Sequence, residues 1–282
     1  MSTLPNRTRT SRSIPLRLLR EGKLHLIPLY ALMRTSDLGR EGIDNSGSYR
    51  FADHIYRNQP SGRFGVGRLL DAVLLKLRGA RSMRSRFYHS QSQIIAAATQ
   101  RNGATEASFR VLSVPCGIAR ELAQASHVLR ERHPHVHAQA TFFGIDLDVA
   151  PLEASRQLCS ADFRVQLIQG DALDRRVYPQ NLDVIVSTGF GEFLPDDALG
   201  KFYSICHDTL RSGGVFVTSC MERDRLADYL MRELAELRAH YRAGARVRAM
   251  LLETGFADVS VQRDATGLQW LIVARKGARA PE

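Results

Sequence analysis

Cysteine is scarce, four in 282 residues, and the four stand far apart at Cys116, Cys159, Cys206 and Cys220. With no C-x-x-C pair and no dense spacing, a disulfide scaffold and a zinc ribbon are excluded, and the usage is that expected of a reducing cytoplasm. Long apolar runs are also missing. None approaches the roughly 18 to 20 residues a membrane span needs, so no membrane-crossing helix is expected. Lysine is nearly absent, with Lys23, Lys76, Lys201 and Lys276 the only ones among 39 Lys+Arg. No G-x-G-x-x-G follows any apolar run, which removes the usual dinucleotide fingerprint. The first twenty residues are rich in Arg, Ser and Thr and poor in acid, a composition shared with organellar transit peptides. A secretory signal is not expected, because Pro28 interrupts Leu24 to Met33 and no small-residue cleavage site follows.

What the chain has in quantity is positive charge, unevenly spread. Residues 1–105 carry 18 Lys+Arg against 6 Asp+Glu, the remainder 21 against 23, so the whole net charge of +10 comes from the first third. Such a block attracts an anionic partner: a carboxylate or phosphate on a small molecule, an acidic carrier protein, a lipid surface or a nucleic acid. It is equally the composition of a solvated, arginine-biased surface with no partner.

Residues 109 to 188 hold an ordered series of strand ends: FRVLSVPCGIAREL, TFFGIDLD, RVQLIQGDALD and LDVIVST. Each contains an apolar run of about four to six residues followed by a turn or helix signal, as a buried parallel strand does. Ligands of such sheets bind outside the carboxyl ends of the strands. Those ends carry Pro115-Cys116-Gly117, Asp146-Leu147, Asp171-Ala172 and Ser187-Thr188.

The series resembles the class I S-adenosylmethionine-dependent methyltransferases over roughly the last two thirds of the chain. In that family the first strand runs into D/E-x-G-x-G-x-G, the second ends in an acid for the ribose, and an acid after the third lies near adenine. Ser113 to Ala119 occupies the first place, Asp146 the second and Gly170-Asp171-Ala172 the third. Ser113 stands where the family has an acid, Pro115 and Ala119 where it has glycine; Gly117 alone remains. Leu210 to Gly214 resembles the turn before the fifth strand. After Glu253-Thr254-Gly255-Phe256, two alternating runs joined by Ala265-Thr266-Gly267 predict an antiparallel hairpin. The resemblance implies an α/β fold: a doubly wound, seven-stranded, mostly parallel sheet ending in that hairpin.

It also implies S-adenosyl-L-methionine as cofactor, held by Pro115, Cys116, Gly117, Asp146, Leu147, Asp171, Ala172, Ser187 and Thr188. Arg84, Arg86, Tyr88 and His89 precede the first strand on a helix that resembles the one whose basic or Tyr residue meets the methionine carboxylate. Arg84 and Arg86 cannot share a helix face, and Arg84 with Tyr88 is the pair assigned. Between cofactor and acceptor, Ser187 to Leu194 supplies small residues, Phe190 or Phe193 as walls, and Glu192 to orient an acceptor or take its proton. Tyr241 is a second candidate for that role, from what reads as the end of a long helix where Arg242 is solvated.

The N-terminal third reads as helical, with a break at Pro28, loops over Gly39–Ser48 and Asn58–Gly62, an amphipathic helix over Gly67–Leu77 and a basic helix over Arg81–Thr99 closed by Asn102-Gly103. Residues 1–105 are therefore expected to form a lid, and residues 106–282 the cofactor domain. The expected reaction is in-line methyl transfer to a small-molecule acceptor, an anionic metabolite being one such class. Two other readings are an RNA-binding protein or RNA methyltransferase using the basic third, where aromatics are sparse, and an NAD(P)-dependent oxidoreductase, which should carry the missing glycine motif. HPHVH at 133–137 lacks a nearby Cys or acid at ligand spacing, so no metal site is expected. Oligomeric state is not legible.

Overall fold

A computed structural model of the chain describes residues 13–45, 47–100, 108–159 and 164–278. The proposed stop at Asn102-Gly103 lies outside them. The chain forms two compact units, one of residues 1–84, 223–240 and 265–268, the other of residues 85–222, 241–264 and 269–282. The sequence-based division at 105/106 thus falls elsewhere than the contacts do, because Ile94 and Ala98 sit in the core of the second unit.

That second unit is built on seven strands: β1 Phe109–Ser113, β2 Ala140–Asp146, β3 Val165–Gln169, β4 Leu182–Ser187, β5 Leu210–Met221, β6 Phe256–Arg263 and β7 Gln269–Lys276. Their order is β3-β2-β1-β4-β5-β7-β6. β1 to β5 run parallel, while β7 pairs antiparallel with both β5 and β6. The expected fold and terminal hairpin are present. Alternating residues of the central strands are buried on both faces, so both must be covered. One face packs Val111, Phe142, Val184 and Val217 against Ile94, Leu122 and Leu129 of the helices Arg78–Thr99 and Arg120–Arg132. The other holds an aromatic cluster: Phe202 and Tyr203 from the helix Asp196–Thr209, with Phe216 of β5 and Phe256 of β6. Asp183, at the start of β4, accepts from the Arg110 backbone N–H at 2.7 Å and pairs with Arg211, a purely structural role at the end of the strand away from the ligand side.

The first unit is helical: Ile14–Arg20, Leu26–Met33, Asp37–Asp44, Tyr49–Arg57, Val66–Lys76 and Arg225–Ala235. Ile14, Leu18, Leu26, Ile43 and Leu234 make one small core; Leu38, Ile55, Leu75 and Ala80 make another. Arg17 and Lys23 reach Glu233, tying the first helix to Arg225–Ala235. Three expectations need correcting here. The helix break falls at Glu21-Gly22, with Gly22 at φ +69°, whereas Pro28 sits in the first turn of Leu26–Met33, where a missing N–H costs nothing. Gly39–Ser48 is not all loop: Ser36 Oγ accepts from Gly39 N–H at 2.9 Å and caps a helix over Asp37–Asp44. The helix over 67–77 does form, but Gly67, Asp71 and Leu75 face inward, and Leu69, Val73 and Leu77 stand exposed.

Asp71 organises this unit. It is fully buried, and its two carboxylate oxygens accept from Ser36 Oγ (2.6 Å), Leu38 N (2.7 Å) and Ser61 N (3.1 Å) and bond His54 Nε2 (2.9 Å). Three segments, at 36–38, 54 and 61, meet on this one side chain.

Candidate functional site

The order β3-β2-β1-β4 reverses direction between β1 and β4, the switch point at which open α/β sheets bind ligands. The chain leaving β1 there is held by backbone bonds. Val114 N–H donates to Val186 O (3.0 Å) and Cys116 N–H to Ile145 O (2.8 Å), and the Val114–Pro115 peptide is cis. Gly117, at φ +51°, donates its N–H to Asp146 Oδ2 at 2.8 Å. Ser155 completes the fastening: its Oγ lies 3.0 Å from Ala119 N and 3.2 Å from Gly117 O. The loop and the acid ending β2 are one rigid piece, and Asp148 N–H occupies the other carboxylate oxygen at 3.1 Å.

Asp146 is buried, and burial raises its carboxyl above the usual range despite the two N–H bonds. Leu147 beside it is exposed. Beyond β3, Asp171 turns back to accept from Leu173 N–H (2.8 Å), and the buried Ala172 is held through its carbonyl by the Tyr178 hydroxyl (2.6 Å). The Cys116 thiol is pushed well up by burial and by the nearby Asp146 charge, so it is a poor nucleophile.

Sequence reading misses one residue here, Glu121. It lies in the first turn of the helix Arg120–Arg132 and accepts from Ser113 Oγ at 2.6 Å. Burial raises its carboxyl, and the positive charge of Arg86 offsets part of that rise. An acid is therefore present beside the end of β1, delivered from the following helix rather than from the strand. The only sequence signal is Ser113 itself, a polar residue left at a strand end where it needs a partner.

Among the basic candidates, Arg86 occupies this place. Its guanidinium is buried and lies 3.8 Å from the Glu192 carboxylate. It rests directly on Gly189, where a Cβ would come within 2.4 Å of its Nη2. Of the pair assigned, the Arg84 guanidinium donates to Leu75 O at 2.8 Å within the helical unit, and Tyr88 is exposed. Residues two apart on a helix point about 200° apart, so only one arginine could face the strand ends.

Glu192, in the single turn Gly191–Phe193 after β4, is 4% exposed, and neither of its carboxylate oxygens has a hydrogen-bond partner among the described residues. Ser187 Oγ, at the end of β4, is buried and equally unsatisfied. Thr188 is half-buried. Buried polar atoms without a hydrogen bond are costly, and those of Ser187 and Glu192 lie after β4, where a ligand is expected. Phe190 packs edge-on against Phe202, so it belongs to the core rather than to a pocket wall. Arg242 is not solvated: it is buried and clamps Asp196, Gly191 O (2.7 Å) and Leu194 O (2.6 Å), which fixes the loop bearing Glu192. Tyr241 beside it is half-buried, and the helix read through this stretch ends at Ala235. His137 of HPHVH bonds Ser126 Oγ (2.9 Å).

A family model described as "Putative methyltransferase" (Methyltransf_20) matches residues 15–260. Among curated proteins, none matches the chain. Of solved structures, a possible exported protein from Bordetella parapertussis superposes with TM-score 0.76 at 22% identity, covering 95% of this chain and 94% of that one. Magnesium protoporphyrin IX methyltransferase from Synechocystis PCC 6803, solved with S-adenosylhomocysteine, gives 0.55 at 13% identity over 83% and 97%. The S-adenosylmethionine-dependent methyltransferase SibL gives 0.53 at 15% over 94% and 78%. These likenesses show a shared fold.

Proposed function

The chain belongs to this methyltransferase family, and we propose that it transfers a methyl group from S-adenosyl-L-methionine to a small-molecule acceptor by in-line displacement. The observation that carries the reading is the Gly117–Asp146 bond at the switch point, with Glu121, Arg86 and Glu192 brought to the same strand ends. An oxidoreductase reading is dropped, since the family and the β5-β7-β6 arrangement are those of a methyltransferase.

The residues present fit the cofactor. The ribose hydroxyls would donate to Asp146, whose oxygens keep acceptor capacity beyond their two backbone bonds. Gly117 allows the backbone close approach, and Asp171 with Ala172 would border the adenine. Glu121 would pair with the methionine ammonium in place of the absent strand acid, and Arg86 with its carboxylate. Bound S-adenosylmethionine supplies a methyl on a sulfonium whose thioether leaves without a proton. What remains for the protein is positioning, which supplies much of the acceleration. Ser187 and Thr188 would border the acceptor, and Glu192 would accept its hydrogen bond or proton. Four free, buried cysteines support a cytoplasmic setting; among the described residues no helix is long and apolar enough to cross a membrane.

S-adenosylhomocysteine is expected to stabilise the protein by about 2.7 kcal/mol at a hundred times its Kd. Asp146→Ala and Glu121→Gln should each cost binding about 1.5–3 kcal/mol, the worth of a hydrogen bond to a charged group. The pH dependence has a definite sign. Both carboxyls are raised by burial and act on the ligand when ionised, so affinity should be full above their raised pKa values and weaken as pH falls through them. Stability of the free protein runs oppositely: raised carboxyls contribute below their unfolded pKa values, and the contribution is lost as pH rises through the folded ones. Calorimetry across this window tests both, and a pH-independent affinity would remove the two acids from the site.

We also propose that the helical unit serves as the acceptor lid. Because it is discontinuous in sequence, a disabling substitution tests it better than truncation does. Leu18→Asp, in its core, should leave S-adenosylhomocysteine binding intact and abolish methyl transfer; full transfer with that core broken would refute the lid.

A further inference from the structure

The helix Val66–Lys76 has its apolar stripe on the outside. Val66, Leu69 and Val73 recur every three or four residues, Leu77 follows at the helix end, and all are half or more exposed. The inward positions are taken by Gly67, Asp71 and Leu75. Phe64, just before the helix, is 88% exposed. Its backbone stands at φ +57°, a state a bulky side chain adopts only under constraint.

That constraint is visible. Arg63 N–H donates to Thr35 O (2.9 Å), Gly67 N–H to Arg63 O (2.9 Å) and Ser61 N–H to the buried Asp71 (3.1 Å). The fold spends rigid backbone bonds on holding a phenylalanine in solvent. Along the same stretch Arg63, Arg68 and Lys76 are exposed, as is Arg81 in the following helix, and Asp71, buried and consumed by its own network, is the only acid between residues 54 and 105.

We infer that this face, with Phe64 at its tip and the exposed cations of the same stretch beside it, docks on an anionic lipid bilayer. A pinned aromatic tip, an aliphatic stripe and a basic border are together what an interfacial helix presents, the apolar part entering the acyl boundary and the cations meeting anionic headgroups. A second copy would bring the same positive border against itself. RNA would use the cations but not the aliphatic stripe, which offers single-stranded bases nothing to stack on apart from Phe64. The inference stands apart from the cofactor site, so it survives or fails independently of it.

The test is sedimentation of the full chain with vesicles of phosphatidylcholine alone or of phosphatidylcholine with phosphatidylserine, at low and high salt. The protein should sediment with the anionic vesicles, less at high salt, and remain in solution with phosphatidylcholine alone. Phe64→Ser combined with Leu69→Gln should weaken binding at least about tenfold with an unchanged thermal midpoint, since both side chains are exposed. Arg63→Gln and Arg68→Gln should each weaken it about fivefold and flatten the salt dependence. The inference is overturned if anionic vesicles do not carry the protein down, if the Phe64/Leu69 variant binds them as the parent does, or if the parent self-associates without lipid and that variant abolishes the association.

Discussion

Asp71→Ala is expected to destabilise the helical unit by about 3–4 kcal/mol, among the largest effects a single substitution produces. The carboxylate is fully buried and serves two backbone N–H groups, the Ser36 hydroxyl and the His54 ring. Removing it leaves those donors buried without a partner, and the cost is their desolvation rather than the modest net value of the bonds themselves. Asp71→Asn should fall between parent and Ala, because an amide keeps one acceptor oxygen. Chemical denaturation reads the difference, and a loss under about 1 kcal/mol for Asp71→Ala would show that the segments are held together by their apolar clusters instead.

Glu192→Gln is expected to lower kcat about a hundredfold or more while S-adenosylhomocysteine binds as before, the size of effect general-base residues produce. The carboxylate is buried, has no hydrogen-bond partner among the described residues, and stands 3.8 Å from Arg86 on a loop clamped by Arg242. Gln keeps the shape and an acceptor oxygen but cannot take a proton. Turnover within a few-fold of the parent would reduce Glu192 to orienting the acceptor, and a matching loss of cofactor affinity would move it out of the acceptor site.

Much of the catalytic unit is legible from the chain alone, because a buried parallel strand leaves a local mark. The apolar runs at 109–113, 140–146 and 182–187, each ending in a polar residue, follow from backbone geometry and burial within a few residues, whereas 165–169, read as buried, is an edge strand with no buried residue. The terminal hairpin is equally local, its turn residues lying between two alternating runs. Asp146 is legible as the last residue of β2 because the end of an apolar run is a position in sequence.

What the tertiary structure decided concerns choices to which local pattern is indifferent. Periodicity says which residues share a helix face, not which face turns inward. For Val66–Lys76 the inward face was chosen by Gly67, where a Cβ would strike Thr35 O at 2.0 Å, and by the donors waiting for Asp71, so the apolar stripe was turned out. That Arg86 reaches the chain after β4 depends on Gly189, about a hundred residues away, where a Cβ would strike its guanidinium. Glu121 could stand in for a missing strand acid because a helix start passes the end of β1; Ser113 signals in sequence that a partner is needed, and only the fold says which. Local structure is set by spacing and steric preference over a few residues, and it is readable there; partners for buried polar groups come from anywhere in the chain, and only packing selects them.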